Sequence, residues 1–211
     1  MHVVNRICRR RWPRKRTFEN AHRRLTAGTH PPDLACVKMD TLFGLPAHPF
    51  LVHVPIVLLP LAAVGVVLMV IRAEWHTRYR WIVLTLGAVG ALGAILAASA
   101  GEELADRIAA VAGPEAARTW EDHVESGDTA RNVAIVFFIL LAAYVLIPWW
   151  QQRGEPGTRA TSGERSRWIR IGLAVLAIAG AAASVTTVIQ AGHTGSRAVW
   201  GDYVESRSSG G

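Results

Sequence analysis

The sequence has little cysteine, and the cysteines that it has lie outside its apolar parts. Cys8 and Cys36 are the only two among 211 residues, and both precede the first apolar run. A disulfide, a thiolate metal site or a cysteine nucleophile therefore cannot belong to the apolar part of the chain. The sequence also lacks a Walker-type loop, a dinucleotide-binding fingerprint and a nucleophile elbow, which argues against common nucleotide-binding and hydrolase classes.

Charge is almost absent from four long apolar windows, at residues 50–71, 81–100, 132–150 and 169–191. Arg170, at the edge of the last window, is the only Asp, Glu, Lys or Arg in them. About 20 apolar helical residues cross a bilayer core, so we predict an all-α, up-and-down bundle of four transmembrane helices. Because no window has an acid or base at its centre, a transporter is disfavoured.

Basic residues are concentrated in the first and third connections, whereas the long second connection is acidic. Basic short loops stay in the cytoplasm, and five of the eight tryptophans lie beside these two connections. We therefore expect a multi-pass protein of the plasma membrane with both ends of the bundle outside. Topology accounts for the formal net charge of +7, so no nucleic-acid partner is expected.

Residues 1–38 conflict with an outside amino terminus, because they contain ten Lys and Arg residues. They have no apolar h-region, so they are not an ordinary signal peptide. We expect the biological start to be Met39, with residues 39–211 forming the transmembrane domain. The alternative is a disordered basic arm that stays cytoplasmic and inverts the bundle.

The second connection has a helical pattern of apolar residues. Leu104, Ile108 and Val111 form one stripe, and Trp120 and His123 belong to another. The Gly-Pro step at residues 113–114 separates the two stripes. We expect two short amphipathic helices on the outer surface.

Four of the eight histidines map to the predicted outer end of the bundle. His48 and His53 begin the first span, His123 lies in the second connection and His193 ends the fourth span. Imidazole binds transition metals and haem iron, although single interfacial histidines more often only bond helix ends. We predict a site in which His53 and His193 are ligands, with His48 and His123 as further ligands or as their supports.

Two segments resemble a known family. Residues 45–55 follow the pattern Leu-Pro-x-His-Pro-x-x-Val-His-x-Pro, and residues 192–195 read Gly-His-Thr-Gly. Over residues 41–204 the chain resembles the bacterial membrane family called domain of unknown function 2231. Its members are similar in layout to four-helix b-type cytochromes, so the resemblance implies haem as a candidate cofactor. This chain lacks the further histidine often found after the second segment, which argues against a site that needs that ligand.

The histidines predict a site for haem b or a transition metal at the outer face, used in redox chemistry or metal handling. The spacing does not choose between these cofactors. The partners expected are the lipid bilayer and a membrane or extracytoplasmic redox partner. The alternative is a non-catalytic membrane module that binds a protein or lipid partner, with its histidines serving only as hydrogen-bond donors.

Overall fold

A computed structural model describes residues 41–42, 45–153 and 163–208 of the chain. The predictions for residues 1–38 and for most of the linker between the third and fourth spans lie outside these residues. The division of the chain at Met39 stays a prediction.

The described chain consists of one very short hairpin and five helices. The elements are β1 (Thr41–Leu42), β2 (Leu45–Pro46), α1 (His48–Leu51), α2 (His53–Ile71), α3 (Ala73–Ala112), α4 (Pro114–Arg153) and α5 (Gly163–Ser208). The two strands pair antiparallel, with Thr41 opposite Pro46.

Four helical stretches are long and apolar enough to cross a membrane. Each predicted window lies inside one of them, and neighbours along the chain pack together, with α2 also packing on α5. The predicted all-α bundle of four transmembrane helices is therefore confirmed. The stretches are His48–Ile71, Ala73–Val111, Trp120–Trp150 and Arg167–Gly201.

The first span is interrupted at its start, between α1 and α2. Pro49 lies in the first turn of α1, where its missing N–H costs nothing. Pro55 lacks the N–H that would bond the carbonyl of Leu51, and the helix breaks at Val52. This break precedes a regular α2, in which Pro60 is accommodated.

The connection between the second and third spans differs from the expected pair of short helices. Its two apolar stripes belong to α3 and α4, each of which continues for 40 residues. The break lies at Gly113, which has a φ of 87° that other residues rarely adopt. Pro114 then begins α4, as prolines often begin helices. The long helices extend beyond the apolar windows because the sequence has no other strong breaker there.

Side chains from all four spans form one core. Its largest fully buried members are Leu59, Val66 and Met69 on α2 and Phe137, Leu141 and Val145 on α4. Small residues complete the core on α5, where Ala177 and Ala181 are buried.

Glycines of α3 allow its neighbours to approach closely, as expected for helices packed in lipid. A Cβ atom on Gly87 would come 2.6 Å from the side chain of Leu141, and one on Gly90 would come 2.9 Å from Leu59. On α5, Gly180 packs in the same way on Leu140. These residues bring the helices together without taking part in chemistry.

Candidate functional site

A cavity of about 260 Å³ lies among the helices at the end of the bundle where α3 connects to α4. All four spans contribute to its wall. Most lining residues are small or apolar, and the exceptions are His48, Glu102, Trp120, His123 and Arg131. We call this space the histidine cavity.

His48 is held between α1 and α3. Its Nδ1–H donates to the carbonyl oxygen of Ala97 over 2.8 Å, and its ring lies against Gly101. A Cβ atom on Gly101 would come 2.9 Å from Nδ1 of His48. Only a residue without a side chain leaves room for this half-buried imidazole.

His123 is held in the same way between α4 and α5. Its Nδ1–H donates to the carbonyl oxygen of Ala191 over 3.1 Å, and its ring lies against Gly195. A Cβ atom on Gly195 would come 2.9 Å from Cε1 of His123 and 3.4 Å from Nε2. The second glycine of the Gly-His-x-Gly segment therefore makes room for an imidazole of another helix.

Two hydroxyl groups support His123. The Oγ atoms of Ser126 and Thr194 lie 2.7 Å apart, and Thr194 Oγ1 also lies 3.4 Å from His123 Nδ1. Thr194 donates to the same Ala191 carbonyl that His123 uses, over 3.0 Å. These contacts join α4 to α5 and fix the plane of the imidazole.

The rings of His48 and His123 face each other across the cavity edge. Their centroids are 5.9 Å apart, and their planes are nearly perpendicular, at 82°. Trp120 packs on the other side of His123 with a centroid distance of 6.3 Å. Residues 75 positions apart in the sequence are thus brought together by the topology of the bundle.

The hydrogen bonds determine which ring nitrogen is available. A carbonyl oxygen only accepts, so the proton of each neutral imidazole resides on Nδ1. Nε2 of both rings then has an unshared lone pair. Both imidazoles line the same mostly apolar cavity.

Comparison with known proteins identifies the family. Residues 44–208 match the family model described as "Predicted membrane protein (DUF2231)". The chain belongs to this family. No curated protein and no solved structure matches the chain. The matched DUF2231 region contains both histidines of the pair and all four spans.

The other two predicted ligands lie elsewhere in this DUF2231 fold. His53 is exposed and donates from Nδ1 to the carbonyl oxygen of Pro49, four residues earlier, over 2.7 Å. His193 is also exposed, and its side chain does not line the histidine cavity. The structure therefore brings together His48 and His123, whereas His53 and His193 lie outside the pair. The ligand roles of all four stay predictions.

Polar residues on the same side of α5 as His193 share its exposure. Thr186 and Gln190 lie on the same outward stripe of α5, and Thr186 donates only to the Ala182 carbonyl of its own helix. The residues that do support an imidazole are Ser126 and Thr194. A sequence signal for them exists, because Ser126 is three residues after His123 and Thr194 is three residues after Ala191, which places each on the inward stripe.

A charged cluster closes the cavity on the side of α3 and α4. Arg131 Nη1 lies 3.1 Å from Glu102 Oε1 and 3.0 Å from Asp128 Oδ1. The contact with Glu102 has hydrogen-bond geometry, whereas Asp128 Oδ1 lacks it and makes only an ion pair. Two carboxylates and one guanidinium leave one net negative charge beside the histidine cavity.

Among residues 45–153 and 163–208, no three His, Cys, Asp or Glu side chains are grouped so that they could hold a metal ion.

Proposed function

We propose that His48 and His123 bind one transition-metal ion and that the protein serves redox chemistry or metal handling in its membrane. The observation that supports this is the pair of imidazoles, each with its Nδ1–H donating to a backbone carbonyl. Metal-binding histidines are oriented by such a second hydrogen bond. When bound, a copper or iron ion would supply one-electron chemistry.

The spacing of the two rings suits a single ion. A metal–nitrogen bond to histidine is about 2.0–2.1 Å, so two imidazoles that share one ion must lie close together. The observed centroid distance is 5.9 Å. Imidazole nitrogen is suited to zinc, copper, iron and nickel.

Haem b fits this cavity less well than an ion does. The cavity has about 260 Å³, whereas pockets for drug-sized ligands have about 300–1,000 Å³. A porphyrin would therefore require the helices to separate. Axial imidazoles are nevertheless suitable ligands for haem iron, so the absorption spectrum is part of the test.

The charge beside the cavity supports a cationic ligand. Glu102 lines the cavity, and the carboxylates of Glu102 and Asp128 together outnumber the guanidinium of Arg131. A low-dielectric wall strengthens the attraction of a cation to this net negative charge. The acidic second connection surrounds the same end of the bundle.

The proposal is tested on the purified full chain in detergent. We expect elemental analysis to find a transition metal, and absorption spectra before and after dithionite to distinguish a non-haem metal from haem. His48→Ala and His123→Ala should each reduce metal affinity at least as much as loss of a supporting hydrogen bond, about 10–100-fold.

His53→Ala and His193→Ala are matched controls, because both imidazoles are exposed at the same end of the bundle. We expect them to bind metal as the unmodified chain does. Equal losses in all four variants, or a protein that binds neither metal nor haem, would overturn the proposal.

A non-catalytic module that binds a protein partner is the second candidate. It is favoured by the exposed Val199, Trp200 and Tyr203 on the last turns of α5. In this case the bonds of His48 and His123 would serve only to join helices. A metal-free protein whose stability still depends on both imidazoles would support it.

We also propose that the histidine cavity faces outside, in the bacterial inner membrane. The basic connection of the first and second spans, the end of α4 and the start of α5 lie at the opposite end of the bundle, and basic loops stay in the cytoplasm. The expected partner of a redox protein would then be a membrane or extracytoplasmic protein.

A further inference from the structure

A second cavity lies at the other end of the bundle, where α2 and α4 end and α3 and α5 begin. It has about 520 Å³. Its polar wall is formed by His76, Tyr144, Arg167 and Arg170. We call it the basic cavity.

Positive charge surrounds the basic cavity without a matching negative charge. Arg80 and Arg170 both lie near enough to His76 to interact with its charge, and Arg170 also lies near Tyr144. Within the described part of the chain, no carboxylate forms an ion pair with Arg80, Arg167 or Arg170. Glu74 and Glu164, the acidic residues nearest in sequence, are exposed and do not line the cavity.

Arg80 lies near His76 but does not line the basic cavity. Its Nε atom is buried and has no hydrogen-bond partner among the described residues. A buried donor without an acceptor costs about 1–3 kcal/mol, and more when the group is charged. Its guanidinium carbon lies 5.6 Å from the ring centroid of Trp81, which orients it but supplies no acceptor for Nε.

The remaining wall of the basic cavity is apolar. Met69, Val70, Ile171 and Ala174 line it, and the side chains of Val70 and Ile171 are also exposed on the outside of the bundle. The cavity thus places two exposed arginines beside an apolar helix surface. Trp168, which is 66% exposed, is at the same end of α5, as expected for a headgroup layer.

We propose that the basic cavity binds the phosphate group of an anionic phospholipid. Guanidinium groups bind phosphate with two parallel hydrogen bonds, and basic pockets between transmembrane helices bind anionic headgroups on the cytoplasmic side. The apolar wall accommodates the acyl chains. Free phosphate has the same headgroup chemistry but has no acyl chains to contact the apolar wall.

The test uses the full chain in nanodiscs of equimolar phosphatidylcholine and phosphatidylglycerol. After extraction into detergent, native mass spectrometry counts the lipids that remain bound. We expect phosphatidylglycerol to be retained in preference to phosphatidylcholine. Arg170→Gln and Arg167→Gln should each reduce this preference about fivefold, the effect of one basic residue near a membrane surface.

Arg78→Gln is the matched control, since Arg78 is at the same end of α3 but does not line the cavity. We expect it to retain phosphatidylglycerol as the unmodified chain does. Arg167 and Arg170 are both exposed, so neither substitution should prevent folding.

Two further outcomes decide the proposal. If inorganic phosphate stabilises the protein against heat while no phospholipid is retained, the site binds a soluble phosphate and the lipid assignment is wrong. If Arg78→Gln and Arg170→Gln lose lipid equally, the binding is general charge attraction, and the site is overturned. Neither outcome depends on metal binding in the histidine cavity.

Discussion

Gly195 on α5 lies against the imidazole ring of His123 on α4, so that a Cβ atom at residue 195 would come 2.9 Å from Cε1 of the ring. Such a distance is too short for two carbon atoms. Whatever side chain replaces the hydrogen of Gly195 must displace the ring or separate the two helices.

We therefore expect Gly195→Ala to weaken metal binding and to destabilise the protein by about 1–3 kcal/mol, the usual cost of overpacking. Metal affinity and thermal unfolding in detergent measure the two effects. Gly201→Ala on the same helix is the control, because its Cβ would meet nothing within 4 Å and it does not line the cavity. It should leave both unchanged or raise stability slightly, since alanine favours the helix. Equal effects of the two changes would contradict this account.

Gly101→Ala tests the other imidazole of the pair. The added Cβ would lie 2.9 Å from Nδ1 of His48, so the bond to the Ala97 carbonyl would lengthen or break. We expect weaker metal binding, by about 10-fold or more, as for other lost supports of a ligand. Gly127→Ala, in open space on the opposite wall, should bind normally. A normal affinity of Gly101→Ala would show that this support is unnecessary.

The hydroxyl pair of Ser126 and Thr194 predicts a third effect. Thr194→Val keeps the shape of the side chain but removes its bonds to Ser126 and to the Ala191 carbonyl. A polar group left without its hydrogen-bond partner lowers the free energy of unfolding by about 1–3 kcal/mol, which denaturant or thermal unfolding measures. Thr186→Val is the control, because Thr186 is exposed and bonds only its own helix. Comparable losses in both variants would assign the effect to helix propensity.

The sequence predicts the spans well because apolar length and loop charge depend on local composition. It also places four histidines at one end of the bundle. It does not show which of them face inward, because that depends on the rotation of each packed helix. His53 follows His48 by five residues, which is about 140° around a helix of 3.6 residues per turn, so only one of them can face the cavity.

The side of α5 that faces the cavity can be recognised from its small and apolar residues. Its cavity wall consists of Val188, Ala191, Gly192 and Gly195, residues at helical spacing that are small or apolar. His193 lies between them and points outward. Glycine at residue 195 therefore predicts that a side chain of another helix lies close to α5. The identity of that neighbour, His123, comes only from the tertiary structure.

Glu102 predicts an electrostatic effect on metal binding. Glu102 lines the histidine cavity, and the two carboxylates of Glu102 and Asp128 outnumber the single guanidinium of Arg131. Glu102→Gln should therefore lower the affinity for a divalent cation several-fold. The change should be smaller at high salt, since exposed charges are screened. Glu103→Gln is the control, because Glu103 pairs with Arg107 on the surface of α3. An identical loss in both variants would indicate attraction by the whole acidic surface.

The last prediction concerns the orientation of the bundle in the membrane, which decides the side on which each cavity lies. Thr77, near the start of α3, and Glu121, near the start of α4, are exposed and lie towards opposite ends of the bundle. With Cys8 and Cys36 replaced by serine, a single cysteine at either position can be labelled in intact cells with a membrane-impermeant maleimide. We expect Glu121→Cys to react from outside and Thr77→Cys to react only after the cells are opened, because the basic connections stay in the cytoplasm. The opposite labelling would place the histidine cavity at the cytoplasmic face of the membrane, where the predicted extracytoplasmic redox partner could not reach it. It would also place the basic cavity on the outside, away from the anionic leaflet that its arginines suit.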